Sequence, residues 1–115
     1  MLFRSLLIAP DEGAAALTGV LTEALRELPH SLVDISHRQI ALAVEGPAAA
    51  TLLAAGCPLD LDVRAFPVGM CTRTMLARAE IVLWCTEAES FRLEVWRSFA
   101  GYVSAFLAEA TLGIA

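Results

Sequence analysis

The hydrophobic residues of this chain come in short bursts separated by proline, glycine and acidic residues, and the spacing within each burst predicts an element. Leu2, Phe3, Leu6, Leu7 and Ile8 form a nearly continuous run that Pro10 stops, the pattern of a strand buried on both faces. Leu17, Val20, Leu21, Ala24, Leu25 and Leu28 then recur at three- and four-residue steps. That stripe predicts an amphipathic helix, capped by Asp11 and ended by Pro29. Between His30 and Val44 the bursts Leu32-Val33-Ile35 and Ile40 to Val44 flank a polar group, and the second reads as a strand. Gly46 and Pro47 turn the chain into a short helix, Ala48 to Ala55, which Gly56 closes.

Farther on, Leu61, Val63 and Ala65 alternate with Asp62 and Arg64, predicting a half-buried strand that ends near Pro67 and Gly69. Thr72 to Ala79 reads as a short helix and Glu80 to Cys85 as a buried strand. From Thr86 or Glu87 a last helix is expected to carry Phe91, Val95, Phe99, Val103, Phe106 and Leu107, with Gly101 as a possible interruption. Strands alternating with helices through short loops predict an α/β sandwich: a four- to five-stranded, mostly parallel sheet with helices on both faces. Ligands of such sheets bind beyond the carboxyl ends of the strands. That rule directs attention to Pro10 to Gly13, Glu45 to Pro47, Gly69 to Thr72 and Cys85 to Glu89.

The length of 115 residues suits one domain, expected to span 1–115. Hydrophobic residues make up 57% and charged ones 18%, richer in apolar side chains than an ordinary domain of roughly half apolar and a quarter charged. The excess, with aromatic residues concentrated in the last third, predicts a homo-oligomer whose interface uses it. A membrane span needs about 20 consecutive apolar residues, and the best stretch, Phe99 to Ala115, is interrupted by Glu109. The run from Leu6 to Ala9 is too brief for a signal-peptide core, so a cytoplasmic location is expected. Net charge is −5, lysine is absent, and the eight arginines are scattered singly. A phosphate backbone requires a clustered basic face, so nucleic acid is not an expected partner.

Cys57, Cys71 and Cys85 are odd in number and contain no C-x-x-C pair, which excludes a simple disulfide framework or structural zinc site. Cys71 stands out because it falls in the expected strand-to-helix turn, where a helix N-terminus and Arg73 would favour thiolate. A cysteine phosphatase is not indicated, since the C-x5-R pattern is broken by Ala77 and Arg78 comes one residue late. His30 and His37 have too few companions to hold a metal ion, and no metal site is expected. Glu87, Glu89 and Glu94 are explained as acidic residues opening a helix. The glycine patterns that cradle dinucleotides or triphosphates are absent.

Three stretches together resemble the DsrE-like family of small sulfur-relay proteins. Ala43-Val44-Glu45-Gly46-Pro47-Ala48 with Leu52-Leu53 is similar to that family's strand, V-x-G-P-A turn and short helix. Val63 to Phe66, Cys71 and Met75-Leu76 are similar to its strand, cysteine and helix start, and Ile81-Val82 with Leu93 and Gly101-Tyr102 to its final strand and helix. The resemblance implies homo-oligomers, trimers or hexamers, that pass sulfur as a cysteine persulfide from a donor protein to an acceptor protein, with no cofactor, metal or organic, needed. Cys71 would carry the sulfur, with Gly46, Pro47, Gly69, Thr72 and Arg73 forming the binding surroundings. The competing expectations are an oligomeric module that binds a nucleotide or other small anion with Arg73 and Arg78 as charge partners and Cys71 incidental, and a structural or regulatory subunit whose apolar excess is all interface.

Overall fold

The computed structural model describes residues 5–10 and 13–113, in a chain that divides into two compact units, Met1–Ser36 and His37–Ala115. In the first unit, helix α1 spans Ala14–Ala24, where the apolar stripe predicts it. Leu17, Leu21 and Leu25 are half-buried along that stripe, Val20 and Leu28 are exposed, and none of the unit's described residues is buried. Residues 5–10 take neither helix nor strand, so the described part of the run read at Leu2 to Ala9 corrects that strand. The remainder of that run, and the cap at Asp11, lie outside the described residues.

The second unit contains β1 (Gln39–Glu45), α2 (Ala49–Ala54), β2 (Cys71–Leu76), β3 (Ala79–Glu87), β4 (Ser90–Trp96), a turn of 3-10 helix (Arg97–Phe99) and α3 (Ala100–Thr111). The sheet runs β1-β4-β3-β2, and every neighbouring pair is antiparallel. The expected mostly parallel sheet is therefore corrected, and the loops give the reason. Two residues, 77–78, join β2 to β3 and another two, 88–89, join β3 to β4; a parallel crossover needs about a dozen. Helices α2 and α3 both enter the core on one face of the sheet, where the expectation had covered both faces.

That core is built from alternation. Ile81, Leu83 and Cys85 of β3 meet Val95, Leu93 and Phe91 of β4 in register, and Val44 and Leu42 of β1 continue the layer. Ala49 and Leu53 of α2 and Val103 and Leu107 of α3 close it from above. Full burial of a leucine or phenylalanine contributes about 1.5–3 kcal/mol. Strand β3, expected to be buried on both faces, is buried at Ile81 and Leu83 and only half-buried at Val82 and Trp84.

The segment read as a strand at Leu61 to Val68 is a folded loop. Asp60 and Asp62 accept backbone N–H bonds from Asp62 and Arg64 at 3.0 and 2.9 Å, bending the chain so that only Leu61 and Phe66 turn inward. Phe66 then packs on Phe91, ring centroids 6.2 Å apart. Gly69 adopts φ +93° at the third position of the turn Pro67 to Met70, a conformation side chains resist. The Gly69 N–H donates to the Cys85 carbonyl and the Cys85 N–H to the Met70 carbonyl, at 2.7 and 2.9 Å, delivering the chain to β2 beside β3. At the far end of that hairpin, the Ala77 N–H donates to the Gly56 carbonyl at 2.8 Å and the Arg78 N–H to the Tyr102 hydroxyl at 3.2 Å. The hairpin tip is thereby tied to the loop after α2 and to α3.

Candidate functional site

The residues singled out from the sequence are not brought together. Cys71 opens strand β2, and no helix follows it, so the helix N-terminus that would have favoured its thiolate is missing. Its neighbour across the sheet is Trp84. Thr72 points to the core face and Arg73 to the opposite one, where Arg73 pairs with Glu80 at 3.3 Å. Gly46 and Pro47 follow β1, at the other edge of the sheet from Gly69 and Cys71. Three strand spacings separate those edges, about 14 Å. Burial pushes the Cys85 thiol pKa up and keeps its proton in place, and its Sγ lies 3.1 Å from the Glu87 carbonyl. Cys57 is buried, 3.8 Å from the Thr74 hydroxyl. Among the described residues, no three of His, Cys, Asp and Glu converge as metal ligands. No described helix is long and apolar enough to cross a membrane.

Sequence reasoning missed the sheet face turned away from α2 and α3. Strand alternation places Ala41 and Ala43 of β1, Arg92, Glu94 and Trp96 of β4, Val82 and Trp84 of β3, and Cys71, Arg73 and Met75 of β2 on it. Two cross-strand rows run over its middle: Ala43, Arg92, Trp84, Cys71 and Ala41, Glu94, Val82, Arg73. Arg92 donates from Nε and Nη2 to Glu94 Oε1 at 3.0 and 2.8 Å. Glu94 is only 8% exposed, so its carboxylate depends on that guanidinium for the hydrogen bonds water would supply. The small side chains of Ala41 and Ala43 leave room above β1, while Trp84 and Val82 give the face an apolar centre.

At one end of this face the chain builds an open depression of about 460 Å³, lined by His37, Arg38, Trp96, Arg97 and Ser98. The β1–β4 register makes it: Gln39 pairs with Trp96, and the Arg97 N–H donates to the Arg38 carbonyl at 2.8 Å. The Arg38 guanidinium lies 5.4 Å from the centroid of the Trp96 ring, within cation–π range.

These features define a small antiparallel α+β protein with one sheet face closed by helices and the other presenting mixed apolar and charged groups suited to docking. Residues 3–112 match the sarcosine oxidase, gamma subunit family (SoxG), and the chain belongs to that family. It is similar to the sarcosine oxidase subunit gamma of Corynebacterium sp. strain U-96, 36% identical over 104 residues that cover 90% of this chain and 50% of that one. The subunit gamma of an Arthrobacter species is 38% identical over 86 residues, 75% of this chain and 41% of that one. Among solved structures, the heterotetrameric sarcosine oxidase from Corynebacterium sp. U-96 in complex with pyrrole 2-carboxylate contains a similar chain. The TM-score is 0.80 and the identity 37%, covering 83% of this chain and 49% of that one. The chain spans about half the length of the relatives it matches.

Membership in this family overturns the DsrE-like resemblance and with it the sulfur-relay function, the persulfide on Cys71 and the donor and acceptor proteins. The motifs behind that resemblance were short runs whose presumed strand-helix context is absent, as at Cys71. The alternative of a nucleotide- or anion-binding module has no support either, since Arg73 is already paired with Glu80. The expected homo-oligomer, trimer or hexamer, is corrected too: the solved structure that this chain resembles is heterotetrameric.

Proposed function

We propose that this chain acts as a gamma-type subunit of a sarcosine oxidase assembly, contributing by docking onto the other, different subunits. The observation that carries this reading is the sheet face opposite α2 and α3. Its central residues Val82, Trp84, Arg92 and Glu94 are half-buried or buried within the chain, while Cys71, Met75 and Trp96 remain exposed around them. Aromatic, methionine and arginine side chains are the types enriched in protein interfaces. Family membership and the heterotetrameric relative support the same reading.

The apolar excess belongs to this reading as well. Leu7, Val20, Leu28 and Val33 in the first unit, and Met75, Trp96 and Phe99 in the second, are large apolar residues left accessible. A partner that covers them converts exposed apolar area into binding free energy.

Co-expression with the other sarcosine oxidase subunits of the same organism tests the proposal. A tagged form of the chain should co-purify with them in one particle of fixed stoichiometry by light scattering, and sarcosine oxidation should be retained in that particle. Elution of the chain apart from those subunits, with their oxidation of sarcosine unaffected by its omission, would overturn it.

A further inference from the structure

We propose that the open depression formed by Arg38, Trp96 and Arg97 is the anchor for an acidic segment of a different subunit, an inference that rests on the subunit reading above. Charge is the first ground. Among the described residues, Arg26, Arg64, Arg73 and Arg92 each pair with a carboxylate. Arg38, Arg78 and Arg97 pair with none of the described carboxylates, and of these three the β1–β4 register places Arg38 and Arg97 together in one open depression with His37. In a chain of net charge −5, this is a cationic spot that attracts an acidic partner while the remainder of the surface repels it.

The second ground is the form of the depression. Trp96 offers a large apolar plate, and Arg38 is already stacked over it, so less side-chain freedom is lost when a carboxylate meets the guanidinium. The hydrogen bond from the Arg97 N–H to the Arg38 carbonyl ties the two arginine backbones together. Tryptophan and arginine are the residues that most often dominate binding when a partner excludes water from them.

Third, exposure selects the kind of occupant. All five lining residues are exposed, so a small free anion would stay hydrated and its attraction to the arginines screened. A polypeptide covering Trp96 excludes that water and strengthens each charge pair. The position at the end of the sheet face opposite α2 and α3 makes the depression continuous with the proposed docking surface.

The test measures the affinity of the full chain for the other purified subunits at about 50 mM and about 300 mM NaCl, across which screening rises steeply. For the unaltered chain the dissociation constant should rise with salt. The double variant Arg38→Gln, Arg97→Gln should bind about tenfold or more weakly at low salt and lose most of the salt dependence. Trp96→Ala should weaken binding about thirtyfold, whereas Arg64→Gln, which alters an arginine of the 57–70 loop, should bind like the original. Circular dichroism confirms that each variant is folded, and the exposed arginines can be altered without touching the core. Normal binding and salt dependence in the double variant would overturn the anchor and leave the subunit reading standing. Weakening by Arg64→Gln equal, per charge removed, to that of the double variant would overturn it as well, since only net charge would then matter. Failure of the unaltered chain to bind the other subunits would overturn the subunit reading and the anchor together.

Discussion

In the unit His37–Ala115, Leu53, Leu76, Leu83, Leu93 and Val95 are wholly withdrawn from solvent, whereas in Met1–Ser36 the described residues include none that is buried, and Val20 and Leu28 stay 65% and 60% exposed. Both units are rich in leucine and valine, so composition does not separate them. Topology does. Four strands in register give the inward side chains of β3 and β4 strand neighbours on two sides and helices above, while a single helix of 11 residues has one stripe and no layer of its own to close it. The second unit is expected to supply the stability of the free chain. The first is expected to gain its cover from a partner.

The sharpest test of that difference is Leu93→Ala. Leu93 is fully buried, on the inner sheet strand β4, between Leu42 of β1 and Leu83 of β3. Its truncation should cost about 2–5 kcal/mol of unfolding free energy, read as a lower urea midpoint with an unchanged slope. A loss below 1 kcal/mol would mean that the core does not rest on this layer.

Gly56→Ala comes next. An added Cβ would lie 2.6 Å from Phe106 Cζ and 2.9 Å from the Ala77 backbone nitrogen. The ring can swing aside, but the Ala77 nitrogen is fixed by the hydrogen bond it donates to Gly56 itself. Overpacking of this kind costs about 1–3 kcal/mol. A neutral outcome would show that the tie between hairpin tip and α2 loop is loose.

How much of this was legible in the sequence depended on whether a burst matched one template or two. Strand β1, helix α2 and strand β3 were readable because their apolar runs are bounded by glycine, proline or charge. Strand β4 was read as helix because Phe91, Val95 and Phe99 lie four residues apart, a step that fits a helix and also two strand repeats. Leu93, facing the core between Arg92 and Glu94, was the residue that decided for the strand. In β2, Thr72, Thr74 and Leu76 alternate with Cys71, Arg73 and Met75, and the β-branched threonines favoured a strand over the helix expected there. The loop at 57–70 alternated like a strand, but the Asp60 and Asp62 side chains captured the backbone N–H groups that a ladder would have used. Arg38 and Trp96 are far apart in the chain and meet only through the β1–β4 register, which no local pattern encodes.

The alkaline limb of stability should distinguish the closed core in a smaller way. Burial raises the Cys85 thiol pKa in the folded protein. Below the unfolded value, about 8.5, both states hold the proton and nothing is lost. As pH rises from there through the folded value, the unfolded chain releases its proton first and stability falls. Cys85→Ala should lower stability at neutral pH but flatten this decline, measured by urea unfolding from pH 7 to 10. An unchanged alkaline slope would assign the decline to other groups.

The smallest effect is expected in α1, and it bears most directly on the contrast between the units. Leu21 lies on the apolar stripe but is only half-buried, and alanine is the better helix former. Leu21→Ala should therefore change the stability of the free chain by no more than about 0.5 kcal/mol, the range of ordinary surface substitutions. If a partner covers the stripe, the same change should weaken assembly with the other subunits several-fold, because the lost methyl groups then come from a buried contact. The opposite pattern, a loss of 2 kcal/mol or more in the free chain as expected of core leucines with assembly unaffected, would show that Leu21 is structural within this chain. The first unit would then have no claim to a docking role.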